Sequence, residues 1–190
     1  MSYSSFSEIK QESESKMAKA MDVLKKDLAG LRTGRASIGL LDNIMVLAYG
    51  QPTPINQVAS LSTPDARTIS VSVWDKGNTA AVEKAIRESD LGLNPASDGT
   101  LIRIPLPSLT EERRKELVKV AGGYAENAKQ SVRHVRHSAI EGVEQLKKDK
   151  LISEDEERAD KDEVQKLTDR YTAAIDEHFK AKQADIMSIS

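Results

Sequence analysis

The chain has 190 residues, of which 38% are hydrophobic, 4% aromatic and 31% charged. That length allows one large domain or two small ones rather than a multidomain enzyme, and the balance favours aliphatic helix packing over an aromatic-rich β-sandwich. The absence of cysteine excludes a disulfide framework, a thiolate metal site and a cysteine nucleophile, and 28 basic residues nearly cancel 30 acidic ones, so any basic surface is local.

The first ten residues, Met1 to Lys10, contain no apolar run of the kind a secretion signal needs. The longest aliphatic-aromatic run, Ile44 to Tyr49, is far short of a membrane span. A soluble cytoplasmic protein is expected. Ser5-x-x-Glu8 has the spacing of a capping box, and Met17, Met21, Leu24, Leu28 and Leu31 follow at steps of four and three, one stripe along a helix. Gly34 is the expected helix stop, because glycine accepts the left-handed cap conformation.

The middle of the chain changes character. Ile44–Tyr49 is a short apolar run, punctuated by Gly50-Gln-Pro-Thr-Pro54. Arg67–Val73 alternates with the period of a half-buried strand. Asn78 is the expected cap of a short helix carrying Ala80, Val82, Ala85 and Ile86. Leu101–Ile104 reads as another strand, closed by Pro105 and Pro107. Residues 36–107 thus form a small mixed unit.

After Pro107 the helical period returns. Thr110 can cap, with Glu111 and Glu112 at the positive end of the dipole. Leu117, Ala121, Tyr124, Ala128, Val132, Val135, Ala139, Val143 and Leu146 recur with the repeat of a straight α-helix. Ser153-x-x-Glu156 opens a last helix, whose stripe is Val164, Leu167, Tyr171, Ile175, Phe179 and Ile186. Three one-sided helices can bury their stripes together. The predicted architecture is α+β: an elongated three-helix bundle from residues 1–35 and 108–190, with residues 36–107 inserted as a small β/α/β domain. The two crossings, at Gly34, Ala36 and Ser37 and at Pro105, Leu106, Pro107 and Ser108, are the expected hinge.

Enzymatic constellations are poor. There is no phosphate loop, no dinucleotide fingerprint and no nucleophile elbow, and no cofactor is implied. His134, His137 and Glu141 could in principle hold a metal for a hydrolase, but a charged helix face explains them as well, and no metal site is expected. Basic residues say more. Between Glu111 and Arg136 there are seven basic and four acidic residues, whereas Leu151–Glu163 holds seven acidic and two basic. Lys129, Arg133 and Arg136 share a helix face, about 100° round from the apolar stripe. Such a row suits the phosphates of a nucleic-acid backbone, and also a solvated face. Arg32 and Arg35 flank Gly34 beside the hinge, where they suit either the helix dipole or phosphate. A helical scaffold that binds proteins through its charged faces is the alternative function.

Nine stretches, in order along nearly the whole chain, carry a resemblance. Among them are Arg32-Thr-Gly-Arg-Ala-Ser37, Tyr49-Gly-Gln-Pro-Thr-Pro54, Ala81-Val-Glu-Lys-Ala-Ile86 and Ser89-Asp-Leu-Gly-Leu-Asn-Pro95. Leu109-Thr-Glu-Glu-Arg-Arg-Lys-Glu-Leu117, Val132-Arg-His-Val-Arg136 and Ile152-Ser-Glu-Asp-Glu-Glu-Arg158 continue it. They resemble the bacterial ribosome recycling factors. The resemblance implies an L-shaped, non-enzymatic protein whose bundle lies against large-subunit ribosomal RNA in the intersubunit space. It implies the ribosome and elongation factor G with GTP as partners, acting together to split the post-termination ribosome and release mRNA and deacylated tRNA. It assigns RNA contact to Arg32, Arg35, Arg133 and Arg136; Lys129 joins them by helical spacing. No membrane partner is implied, and a monomer is expected because each stripe has partners within the chain. His134 and His137 stand where Asn and Arg are more usual, and Ser108 replaces a second proline.

Overall fold

The computed structural model describes residues 3–33 and 35–188. Three long helices dominate it: α1 (Phe6–Ala29), α3 (Glu111–Lys148) and α4 (Glu154–Met187). At 1.5 Å per residue, the 38 residues of α3 run for about 57 Å. The intervening chain forms β1 (Met45–Ala48), β2 (Gln51–Pro54), β3 (Ala59–Asp65), β4 (Thr68–Val73), α2 (Thr79–Arg87), β5 (Ala96–Asp98) and β6 (Leu101–Pro105). The fold is α+β. The chain falls into two compact units, Met1–Asp27 with Ala121–Ala181 and Leu28–Val120 with Lys182–Ser190.

In the first unit, the apolar stripes of all three helices converge. Ile9 of α1, Ala139, Val143 and Leu146 of α3 and Val164 of α4 form one buried cluster, against which Tyr3, Phe6, Ile140 and Ile152 pack. Met17, Met21 and Leu24 of α1 and Val132 and Val135 of α3 are buried as their spacing predicts. The turn between α3 and α4 is tight, and its capping box is complete: Glu156 N–H donates to Ser153 Oγ at 3.1 Å and Ser153 N–H to Glu156 Oε1 at 3.4 Å. Ion pairs lace the surfaces, Lys10 to Glu163 at 3.3 Å and Arg170 to Glu14 at 2.8 Å among them. Such exposed pairs contribute at most about 1 kcal/mol each.

In the second unit, β1 and β2 form a hairpin and β3-β4-β6-β5 an antiparallel sheet. Leu40, Ile55, Ile69, Val71, Val82, Ile86, Leu93, Ile102 and Ile104 belong to its core. The hairpin turns through Tyr49 and Gly50, both at positive φ (53° and 79°), the geometry that two-residue hairpin turns require.

Four local expectations are corrected. Helix α1 stops at Ala29, with Gly30 in the turn, rather than at Gly34; Gly34 itself lies outside the described residues. The carboxylate of Glu8 reaches Ser4, accepting from its amide at 3.2 Å and its hydroxyl at 2.5 Å, instead of pairing with Ser5. Asn78 makes no side-chain cap bond to α2; Asp75 caps the preceding turn through Gly77 N–H at 2.9 Å. The punctuating Gln51–Pro54 is itself a strand, with Leu47 facing Pro52.

Candidate nucleic-acid interface

Lys129, Arg133 and Arg136 share one face of α3, and α4 decides what each does. Lys129 Nζ lies 2.6 Å from Asp176 on α4. Arg136 Nε donates to Gln165 Oε1 at 2.8 Å, and Gln165 in turn donates to Asp169 at 2.8 Å. Both side chains are half-buried against that helix. Arg133 is the outward one: its side chain is 58% exposed and pairs with Glu126, two turns back on its own helix, at 2.7 Å. An exposed pair of this kind is screened by salt and readily exchanged for another anion. The expected outward row is therefore one projecting guanidinium flanked by two cations held at the α3–α4 seam.

The histidines do not gather. His137 Nε2 lies 3.0 Å from Glu141 Oε1 and His134 is exposed. Among the described residues no group of three or more His, Asp or Glu side chains could hold a metal ion.

Arg32 and Arg35 occupy the second unit. Arg32 Nη2 donates to the carbonyl of Pro107 at 2.6 Å, a bond between the two chain crossings. Its Nε is buried without a partner. Burial first, then the charges of Arg113 and Arg114, push its guanidinium below the ordinary arginine range. Arg35 is exposed; its carbonyl accepts from the Thr33 hydroxyl at 3.0 Å.

The crossing residues sort themselves by what they touch. Ala36 N–H donates to Ala66 O and Leu106 N–H to Arg67 O, each at 2.7 Å, so both crossings are tied to the β3–β4 turn. Leu106 is buried in the core of the β unit and Ala36 packs on it. Pro105 pairs with Thr68 in the sheet. Ser37 Oγ accepts from Gly39 N–H at 3.2 Å and caps a short 3-10 turn, Ile38–Leu41. Pro107 and Ser108 lie beyond these anchors.

Two features escaped the sequence reading. Arg114 is buried, with 8% of its surface exposed, and donates to the carbonyls of Leu109 (3.3 Å), Ile186 (2.7 Å) and Ser188. No periodicity marks a charged residue as buried. The hairpin also leaves Met45, Leu47 and Tyr49 exposed, with Trp74 nearby in sequence to Asp75, which accepts from the Tyr49 hydroxyl.

Comparison with known proteins decides the family. Residues 24–187 match the family described as Ribosome recycling factor. The chain is also 55% identical over 182 residues to the ribosome-recycling factor of Polaromonas sp. strain JS666, covering 96% of this chain and 98% of that protein. This chain belongs to the ribosome recycling factor family. The Paraburkholderia phymatum ribosome-recycling factor is likewise 55% identical, over 97% of this chain and all of that protein. Among solved structures, the solution structure of the ribosome recycling factor superposes with a TM-score of 0.77 at 44% identity, covering 96% of this chain and 97% of that one. A chain from models of the T. thermophilus ribosome recycling factor and the E. coli elongation factor G bound to the E. coli post-termination complex matches with a TM-score of 0.71 at 42% identity, covering 99% of this chain. The ribosome recycling factor family is one of translation factors and not of enzymes. Among the described residues no helix is long and apolar enough to cross a membrane.

Proposed function

We propose that this chain is a cytoplasmic, monomeric ribosome recycling factor that acts with elongation factor G and GTP to split the post-termination ribosome into subunits, releasing mRNA and deacylated tRNA. One observation carries the reading: the likeness to ribosome-recycling factors covers 96% to 97% of the chain, bundle and β unit alike. Supporting it, a relative of the same fold is described bound to a post-termination complex together with elongation factor G.

In this reading the chain contributes binding and leverage and makes or breaks no covalent bond. Residues 1–35 and 108–190 act as a rod, stiffened by the shared apolar seam of the helices, and residues 36–107 act as a head. Arg32, Arg35, Lys129, Arg133 and Arg136 hold phosphates of large-subunit ribosomal RNA in the intersubunit space. Arg133 makes the first contact, exchanging Glu126 for phosphate; Lys129 and Arg136 follow by releasing Asp176 and Gln165. The pivot falls at residues 33–35 and at Pro107 and Ser108, because Ala36, Ser37, Pro105 and Leu106 are anchored in the β unit.

Light scattering of post-termination ribosomes tests the whole reading. Adding the protein with elongation factor G and GTP is expected to convert them to subunits; either component alone is not. Cosedimentation with ribosomes that survives complete digestion of the RNA would instead favour a protein-binding scaffold.

A further inference from the structure

The outer face of α3 carries a titratable row that the packing of the bundle does not use. Glu126, Gln130, Arg133, His137 and Glu141 recur every three or four residues, so they share one line on the helix, with His134 beside it. All six are exposed, the His137 side chain to 70%. Glu126 is matched by Arg133 at 2.7 Å and Glu141 by His137 Nε2 at 3.0 Å. Among the described residues no other ion pair includes a histidine, and His134 makes none. The helices packed beside α3 make no hydrogen bond or ion pair with either imidazole. At this level α1 presents Lys16, Lys19 and Glu12, with Glu12 held by Lys16 at 2.8 Å. On α4, Gln165 is bonded to Arg136 and to Asp169, and Asp162 shares that face by its spacing.

The sign of this row depends on its histidines. With both neutral, Glu126 and Glu141 outnumber Arg133 and the row is negative. With both protonated, the cations outnumber the two carboxylates and the sign reverses. Histidine is the side chain that changes charge between pH 5 and 8, whereas the charge of arginine is fixed. A phosphate beside an imidazole favours the protonated form. Binding then takes up protons, and by linkage acid tightens binding. We propose that contact of this helix face with ribosomal RNA is proton-linked: His134 and His137 become imidazolium as phosphates approach, which turns a row that repels RNA into one that holds it. Where Glu141 keeps the His137 imidazolium, the carboxylate is neutralised and no longer repels phosphate. The inference rests on the reading of Arg133 as an RNA contact and deepens it, because it names the two groups that regulate the contact.

Cosedimentation with bacterial ribosomes at pH 6.0, 7.0 and 8.0, at fixed magnesium and ionic strength, tests it. The parent protein is expected to bind about fivefold more tightly at pH 6.0 than at pH 8.0, the scale of two exposed charge pairs. Exchanging both histidines, His134→Asn with His137→Gln, is expected to abolish that gain by lowering affinity at pH 6.0 and not at pH 8.0. His137→Arg carries a fixed charge, so it is expected to exceed the parent at pH 8.0 and to respond less to pH. A purely structural role for the histidines would not give opposite effects in the two variants. An equal gain in the parent and the double variant, no gain in the parent, or no advantage of His137→Arg at pH 8.0 would overturn the proton linkage while the ribosomal reading stands. Absence of binding at every pH would defeat both.

Discussion

Arg32 Nη2 reaches across to the carbonyl of Pro107, 2.6 Å away, so that one guanidinium joins the end of the first crossing to the second. The same side chain sits beside Arg113 and Arg114 with its Nε unpaired. A charge kept under those terms is weakly justified by stability. Arg32→Met removes the Pro107 bond but also the repulsion and the unpaired donor, and an apolar side chain of similar length suits a half-buried position without an opposite charge. Its unfolding free energy is therefore expected within about 1 kcal/mol of the parent. Ribosome affinity is expected to fall, with the salt slope reduced by about one phosphate. Denaturant melts and cosedimentation at several salt concentrations measure both. A large loss of stability with binding intact would make Arg32 a structural residue.

The pairing of Arg133 with Glu126 leads to a second test with opposite signs. If Arg133 must leave Glu126 to hold phosphate, then Glu126→Gln removes a competitor and is expected to tighten ribosome binding by a few-fold, in proportion to an exposed ion pair of about 0.5 kcal/mol. Arg133→Ala and Arg136→Ala are expected to weaken binding and each to lower the salt slope by about one. Tighter binding by Glu126→Gln is the more telling result. Weaker binding there would mean that the Glu126 carboxylate orients Arg133 instead of competing for it.

What could be seen in the chain beforehand follows burial. The helices were legible because a long buried stripe repeats many times: Leu117, Ala121, Val132, Val143 and Leu146 of α3 are all buried where the period puts them. Strands β2, β3 and β5 were not. β5 is exposed throughout, β3 is mostly exposed with a register shift between Ser62 and Asp65, and β2 carries two prolines. Such strands bury little and show no alternation. For the site, helical spacing placed Lys129, Arg133 and Arg136 on one face. It could not show that Asp176 and Gln165, more distant in the chain, would come within hydrogen-bonding reach of two of them. Ser153 and Glu156 met as their spacing suggested, while Ser5 lost its partner to Ser4, one residue away. Cap motifs fix a helix start only to within a residue or two.

Helix α3 holds three glycines, and their surroundings predict different responses to alanine. A Cβ at Gly123 would meet nothing within 4 Å, so Gly123→Ala is expected to gain up to about 1 kcal/mol from helix propensity alone. At Gly142 the added Cβ would lie 3.1 Å from Ile9 Cδ1 and from Cδ2 and Cε2 of the Tyr3 ring. Ile9 is fully buried, so the ring or the helix must give way, at the 1–3 kcal/mol typical of overpacking, taken as an approximate range. Gly142→Ala is therefore expected to be neutral or destabilising. Urea unfolding of the two variants side by side checks this. Equal stabilisation by both would show that the Tyr3 ring yields freely.

Tyr3 also gives the bundle a dependence on alkaline pH. A hydrogen bond to Glu12, then burial and the Glu12 charge, push its phenol up to about 12 from the ordinary 10.0. Between those values the folded protein keeps a proton that the unfolded chain has released. Unfolded chains then bind fewer protons than folded ones, so stability falls as pH rises. The contribution is complete below about pH 10 and is lost as pH passes through about 12. Because the side chain is only half-buried, the effect is modest, and it is best isolated by difference. The parent protein is expected to be more stable than Tyr3→Phe at pH 9, with the gap shrinking steadily toward pH 12. Lysine deprotonation affects both proteins alike and cancels. Denaturant midpoints at pH 9, 10, 11 and 12 supply the comparison, and a gap that stays constant across that range would remove the hydrogen bond between Tyr3 and Glu12 from the account of this end of the bundle.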